Sequence, residues 1–257
     1  MWAETTDPAP GVDAAGAGPR LFVVINPGSG ANDDAQGKRE TLERVFAEAA
    51  RPHCFVPVAR PKDIGPASAA AAAPARDCGA VVVPVGGDGT INGVAQAAWR
   101  QGCTLGVLPQ GTFNLFGREY GIPEDLESAA RALLSAQPTP VQVAEINGRL
   151  FLVNASLGMY PQLLQDRETF KRQFGRHRWV ALVAGLYTLF QWRRQLLLEV
   201  ELDGERTVLT TPTLFVGNNR LQLDLVGMDP AVASRVGEGC LAAVIAKPVG
   251  TGSMAWL

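Results

Sequence analysis

The sequence is poor in the residues that build metal clusters, disulfide frameworks and nucleophilic triads: its 257 residues hold four cysteines and two histidines. Cys54, Cys78, Cys103 and Cys240 form no Cys-x-x-Cys pair and are widely spaced. A zinc site or a disulfide scaffold is therefore not expected, and reduced thiols fit a cytoplasmic protein. His53 and His177 sit in unrelated contexts, with no nucleophile or ligand pattern around either. Charge is also scarce in sum: the formal net charge of −2 gives no basic field that would point to nucleic acid. The N-terminus lacks a basic start followed by an apolar core, so residues 1–19 read as a flexible Pro/Ala/Gly tail rather than a signal peptide.

What is present is globular. Hydrophobic residues make up 47% and charged residues 19% of a chain long enough for one large domain or two small ones. LFVVI (21–25), CFVPV (54–58), AVVVPV (80–85) and TLGVLP (104–109) read as buried strands. Helical patterns fall between them: Leu42, Val45, Phe46 and Ala49 share one face, 66–76 is alanine-rich, and INGVAQAAWRQG and DLESAARALLSA follow. Strands alternating with helices predict an α/β domain with a parallel sheet. Beyond QPTP (137–140) the pattern changes. Two pairs of alternating runs flank Asn147-Gly148 and Asp203-Gly204, a hairpin signal, so the second half is read as antiparallel β with one helical stretch near 165–193.

Three loops in the first half occupy equivalent positions: NPGSG after the first strand, GGDGT after the third and PQGTFN after the fourth. Ligands of open parallel sheets bind beyond the carboxyl ends of the strands. Glycine there lets backbone N–H groups turn toward an anion, and a helix starting near Ile91 adds its positive end. Ser29, Thr90 and Thr112 can donate hydroxyl hydrogen bonds to phosphate oxygens. Asp88 is the odd residue, because a carboxylate repels phosphate. Beside a magnesium ion or a reacting hydroxyl it makes sense; as a turn acid it is merely local.

NPGSG, VVPVGGDGTINGVAQA and LGVLPQGTFNLFGREYGIP resemble, in order and spacing, the three nucleotide-site motifs of the diacylglycerol kinase catalytic domain family, which includes bacterial lipid kinases and sphingosine kinases. FLVNASLG and TLFVGNN resemble its second-domain signatures, so the resemblance covers about residues 20 to 247. GGDGT is shared with NAD kinases, but GT-x-N followed by an aromatic and GIP favours the lipid-kinase branch. The resemblance implies ATP and Mg2+, and transfer of the γ-phosphate to the hydroxyl of a diacylglycerol- or sphingosine-like lipid. By motif match, Asn26, Ser29, Gly30, Gly86, Gly87, Gly89, Thr90, Asn92, Thr112 and Asn114 would line the nucleotide cleft, with Asp88 as the catalytic acid. The implied fold is an α/β nucleotide-binding domain (20–138) followed by an antiparallel β-sandwich domain (139–257), with the site in the cleft between them.

The sequence also departs from the family. Its members continue into a DGE-like segment whose acid deprotonates the lipid hydroxyl, whereas PVGTGSMAWL, after Lys247, has no carboxylate. Asp203-Gly204-Glu205 lies in an earlier hairpin, so the base role is not carried to Glu205. VGEGCLAAVI resembles the segment that holds a structural magnesium, with Glu238 in the acid's position. The second domain is thus expected to be incomplete, with an open edge that invites a homo-oligomer. A nucleotide- or lipid-binding protein with weak or no turnover is the alternative reading, and an NAD-kinase-like enzyme a third. Finally, residues 170–194 combine Lys171, Arg172, Arg176, Arg178, Arg193 and Arg194 with Trp179, Tyr187 and Trp192 around an apolar centre too short to span a bilayer. Such a segment suits peripheral contact with anionic lipid at the inner face of the membrane; a core helix with solvated ends is the alternative.

Overall fold

The computed structural model describes residues 18–29, 34–158, 195–202, 204–225 and 228–245. The expected tail up to residue 17, Gly30, the basic stretch 170–194 and the segment after Lys247 lie outside the described residues. The chain forms two compact units, dividing between Val153 and Asn154. The sequence places its boundary earlier, at 137–140, but the Asn147-Gly148 hairpin falls within the first unit.

The first unit is a parallel sheet covered on both faces. Strands β1 (Leu21–Ile25), β2 (His53–Val56), β3 (Val81–Gly86) and β4 (Thr104–Leu105) run in the order β2-β1-β3-β4, and β5 (Leu108–Pro109) pairs with the end of β3. Leu21 is in register with both His53 and Val81. The strands are apolar at successive positions because both faces are buried. Leu21, Val23, Val83 and Val85 pack with helices α1 (Ala35–Glu48) and α5 (Leu126–Ser135). Val24 and Val82 pack on the other face with α2 (Ile64–Asp77) and α3 (Asp88–Gln101).

Local chemistry fixes these elements. Asp34 caps α1 by accepting from Gly37 N–H at 2.8 Å, and Asp125 caps α5 by accepting from Ser128 N–H at 2.9 Å. Gly102, at φ 69°, ends α3 in the left-handed region. The alanine-rich run is a helix because Ala67, Ala71, Ala72 and Ala75 are all buried and their small side chains fit between neighbouring elements. The expected fourth strand is broken into β4 and β5. A side chain at Gly106 would stand 2.8 Å from Leu133 and 3.2 Å from Val81 and Val83, so the chain is bare where β3 and α5 crowd it.

Strands β6 (Ala144–Ile146) and β7 (Arg149–Phe151) form the hairpin, with Asn147 at φ 51° and Gly148 at φ 73° as its two-residue turn. In the second unit β8 (Asn154–Gly158), β11 (Thr213–Gly217) and β12 (Ala242–Ile245) form an antiparallel sheet in the order β12-β11-β8. Strands β9 (Leu196–Leu202) and β10 (Glu205–Thr211) form a separate two-stranded antiparallel sheet. Two short helices, α6 (Arg220–Leu225) and α7 (Pro230–Ala233), precede β12, and Phe215, Leu223, Ala233, Val236 and Ala242 make the small core. The expected antiparallel second half is therefore present. Among the described residues no helix is long and apolar enough to cross a membrane.

Candidate nucleotide site

The three glycine loops stand together at the carboxyl ends of β1, β3 and β5 and are bonded into one platform. The first loop joins the second through Asn26, whose Nδ2 donates to Thr90 Oγ1 at 2.7 Å while its Oδ1 accepts from Gly28 N–H at 2.9 Å. Its backbone N–H donates to Val85 O, extending the ladder past the strand end. The second loop joins the third twice. Gln110 N–H donates to Gly86 O at 2.8 Å. Asp88 Oδ1 accepts from Phe116 N–H at 3.1 Å, so this acid caps the short helix α4 (Leu115–Glu119).

Three of the glycines are explained by this crowding. A methyl group on Gly111 would lie 2.5 Å from Gly87 Cα, and one on Gly87 would lie 3.1 Å from Gly111 Cα, so two backbones touch. A methyl group on Gly86 would lie 2.7 Å from the Thr90 side chain. Gly89 is different. It is exposed, its φ is not in the left-handed region, and a methyl group there would meet nothing within 4 Å.

Asn114 is buried at φ 49° and closes the third loop by accepting from Gly111 N–H at 2.6 Å. Asparagine tolerates that left-handed backbone better than most residues. Thr112 and Phe113 project from the same loop, and Phe113 is 63% exposed. Ser29 is buried, and its hydroxyl donates to Asn26 O at 3.0 Å. Asn92 points elsewhere, to the β6–β7 hairpin: its Nδ2 donates to Leu150 O and its Oδ1 accepts from Leu152 N–H, both at 3.0 Å.

Two contributors escape a reading of the loops alone. Lys38, on α1, donates its ammonium to the Ser29 carbonyl and lies 3.4 Å from Ser29 Oγ, bringing a cation to the first loop. Its sequence signal is a lysine one turn into the helix that follows a glycine loop. Gln110 Nε2 donates to Glu124 O at 3.0 Å and ties the third loop to the chain before α5.

Glu238, expected at a metal, is in the second unit. Its carboxylate is 70% exposed and faces Arg220 at 3.9 Å. Among the described residues no group of three His, Cys, Asp or Glu side chains could hold a metal ion. The second unit gathers carboxamides instead: Asn218, Asn219 and Gln222 are buried, and Asn154 Nδ2 donates to Gln222 Oε1 at 2.9 Å. The two second-domain signatures lie side by side, with Asn154 opposite Gly217.

A doubly covered parallel sheet, with glycine loops and a helix N-terminus at the carboxyl ends of its strands, is the arrangement in which open α/β sheets commonly hold phosphate-bearing ligands. Residues 20–146 match the family model described as the diacylglycerol kinase catalytic domain, so that segment is similar to this family. Among its relatives, a diacylglycerol kinase of Staphylococcus saprophyticus is 30% identical over 148 residues, which are 56% of this chain and 47% of the relative. A diacylglycerol kinase of Bacillus subtilis is 38% identical over 89 residues, 34% of this chain and 29% of the relative. A probable YegS-like lipid kinase of Klebsiella pneumoniae is 40% identical over 79 residues, 30% and 27% of the two chains. The matches thus span less than half the length of these curated relatives. The crystal structure of a diacylglycerol kinase from Bacillus anthracis superposes with a TM-score of 0.57 at 21% identity, covering 78% of this chain and 64% of that one. The fold is shared.

Proposed function

We propose that the chain is an ATP- and magnesium-dependent lipid kinase that transfers the γ-phosphate to the hydroxyl of a diacylglycerol- or sphingosine-like lipid. The observation that carries this reading is Gly89. Glycine inside a helix costs roughly 0.5–1 kcal/mol relative to alanine, and no neighbour among the described residues requires it here. Room for a phosphate against the first turn of α3 does require it. The N–H groups of Asp88 and Gly89 stand in that first turn, where a helix supplies no acceptor of its own. They would hold the phosphate together with the Thr112 hydroxyl and the Lys38 ammonium. The match of residues 20–146 to the diacylglycerol kinase catalytic domain model and the fold shared with the Bacillus anthracis structure support the same reading.

In the proposed reaction the chain works mainly by position and charge. A bound magnesium ion supplies charge neutralisation at the phosphates. Glu238, exposed and beside Arg220, does not fit a metal site. Asp88 is the acid that remains for the metal or the acceptor hydroxyl: one oxygen caps α4, and a carboxylate can accept at its other oxygen as well. Residues 20–138 would then serve as the nucleotide domain. The two antiparallel sheets beyond Val153 would serve as the layers of a sandwich that takes the lipid, and so large an apolar substrate requires peripheral association with a membrane surface.

A nucleotide-binding protein without turnover is the second reading. It is favoured by the use of Asp88 as a helix cap and by the absence of an acidic cluster among the described residues. Calorimetric titration with Mg-ATP tests the site, and a radiolabelled-ATP assay against diacylglycerol, sphingosine and phosphatidylglycerol separates the two readings. Gly89→Ala should leave the fold as stable or slightly more so, yet weaken Mg-ATP binding by at least about tenfold, the equivalent of about 1.4 kcal/mol. Unchanged binding in that variant would remove the central support for the reading.

A further inference from the structure

We infer that Asn92, Gln96 and Arg100 are positioning residues that fasten α3, and with it the turn carrying Asp88, Gly89 and Thr90, to the backbone of strand β7. Asn92 is spent in this anchor and is not a nucleotide ligand. The inference rests on reading the glycine loops as a nucleotide site.

The three residues recur every fourth position, so they form one stripe along the helix. Each reaches the same edge of the hairpin. Asn92 Nδ2 donates to Leu150 O and Asn92 Oδ1 accepts from Leu152 N–H. Gln96 Oε1 accepts from Leu150 N–H at 2.7 Å, and Arg100 donates to Gly148 O at 3.2 Å. The hairpin explains why these groups are available. Across its two-residue turn Ile146 stands opposite Arg149, and Glu145 opposite Leu150. Pairs in an antiparallel ladder alternate between bonded and non-bonded, and the pair closing a two-residue turn is bonded. Leu150 therefore turns its N–H and C=O outward, away from β6.

A carboxamide carries a donor and an acceptor, as a peptide group does. Asn92 and Gln96 thus complete the outer edge of β7 as a neighbouring strand would. Gln96 Nε2 is buried without a partner among the described residues. A buried unsatisfied donor is costly, so Gln96 is retained for its oxygen, whose orientation the Leu150 N–H fixes. The same helix carries Asp88 at its first position, one turn before Asn92. Loosening the stripe would let that turn shift, and displacements of about 1 Å at a reacting site can cost on the order of a hundredfold in rate.

The test combines amide exchange with Mg-ATP titration on the full chain. In both Asn92→Ala and Gln96→Ala, exchange at Leu150 and Leu152 should rise at least about tenfold as these bonds open. Both variants should weaken Mg-ATP binding by a few-fold, and the double variant should be no worse than the poorer single one, because residues acting as a unit are not additive. If Asn92→Ala weakens binding while Gln96→Ala does not, and exchange is unchanged in both, Asn92 is a direct ligand and the inference fails. Should the alanine variants not fold, Asn92→Asp keeps the shape and the acceptor for Leu152. It also sets a carboxylate against the Leu150 carbonyl. Exchange relative to wild type should then be fast at pH 7 and slow again as pH falls through the ordinary carboxylate range of about 4, as protonation restores a donor; a ratio unchanged from pH 7 to pH 3 overturns the anchor. If wild type itself does not bind Mg-ATP, the nucleotide reading falls, while the exchange arm still decides the anchor.

Discussion

At the scale of single residues, the platform separates glycines that serve the fold from one that does not. Gly111→Ala pushes a methyl group to 2.5 Å from the Gly87 backbone, which cannot rotate away as a side chain could. Overpacking of this kind costs about 1–3 kcal/mol. The expected outcome is a lowered thermal midpoint together with weaker Mg-ATP binding, read by calorimetry, in contrast to the stable but weaker-binding protein expected of Gly89→Ala. The sequence marks all of these positions as glycine and cannot tell them apart, because the neighbours that distinguish them lie far along the chain. Asn26 is another case. The loop motif selects it as a ligand, yet its amide nitrogen is engaged by Thr90, 64 residues away. A strut and a ligand look alike until the loops are brought together.

At the scale of elements, α1 and α5 are joined on their exposed side by a closed ring of four charges. Arg44 reaches Glu48 at 3.2 Å and Glu127 at 2.5 Å, while Arg131 reaches both Glu48 and Glu127 at 2.8 Å. Hydrogen bonds from Arg44 and then Arg131 hold the Glu127 carboxyl down from 4.5 to about 2. Arg131 and then Arg44 also lower that of Glu48. Because the folded value lies below the ordinary one, the ring's stabilisation is fully present above about pH 4.5 and is lost as pH falls toward 2. Its members are solvent-exposed, so the effect is modest and screened by salt. Thermal melts of wild type and Glu127→Gln should differ most near neutral pH, converge by about pH 2, and differ less in 1 M salt; a gap unchanged from pH 7 to 2 would show that the ring contributes nothing. Periodicity reveals both helices in the sequence, but not the ring, since Arg44 and Glu127 are 83 residues apart.

At the scale of the whole chain, the described residues of the two units differ in how much they bury. The first has an apolar layer on each face of its sheet, with Val23, Val24, Val82, Val83 and Val85 fully enclosed. Among the described residues, the second has a small core of Phe215, Leu223, Ala233, Val236 and Ala242, and its β9–β10 sheet leaves Leu197 at 75% and Val208 at 65% exposure. Local opening follows buried contact, so amides of β1 and β3 should exchange far more slowly than those of β9 and β10, by about two orders of magnitude or more. Equal protection in the two sheets, measured by mass spectrometry, would contradict this. The α/β half was legible because two-sided burial writes continuous apolar strands between amphipathic helices. The antiparallel half was legible mainly at its turns, at Asn147-Gly148 and at Gly204. The break at Gly106 was not legible, because the crowding by Leu133 and Val81 is a property of the packed layers.

The touching backbones of Gly87 and Gly111 have a consequence for how such a sequence can drift. Gly111 is confined to the smallest residue, since a methyl group there lies 2.5 Å from Gly87 Cα and forces a loop to shift, while the 3.1 Å contact of a methyl group on Gly87 asks the facing loop to give way slightly. Gly111 is thus closed to neutral exploration as long as the two loops keep this spacing, although the residue on its own is chemically blank. The two loops are therefore inherited as one object, and an insertion that lengthens either would have to be matched in the other before a side chain could return.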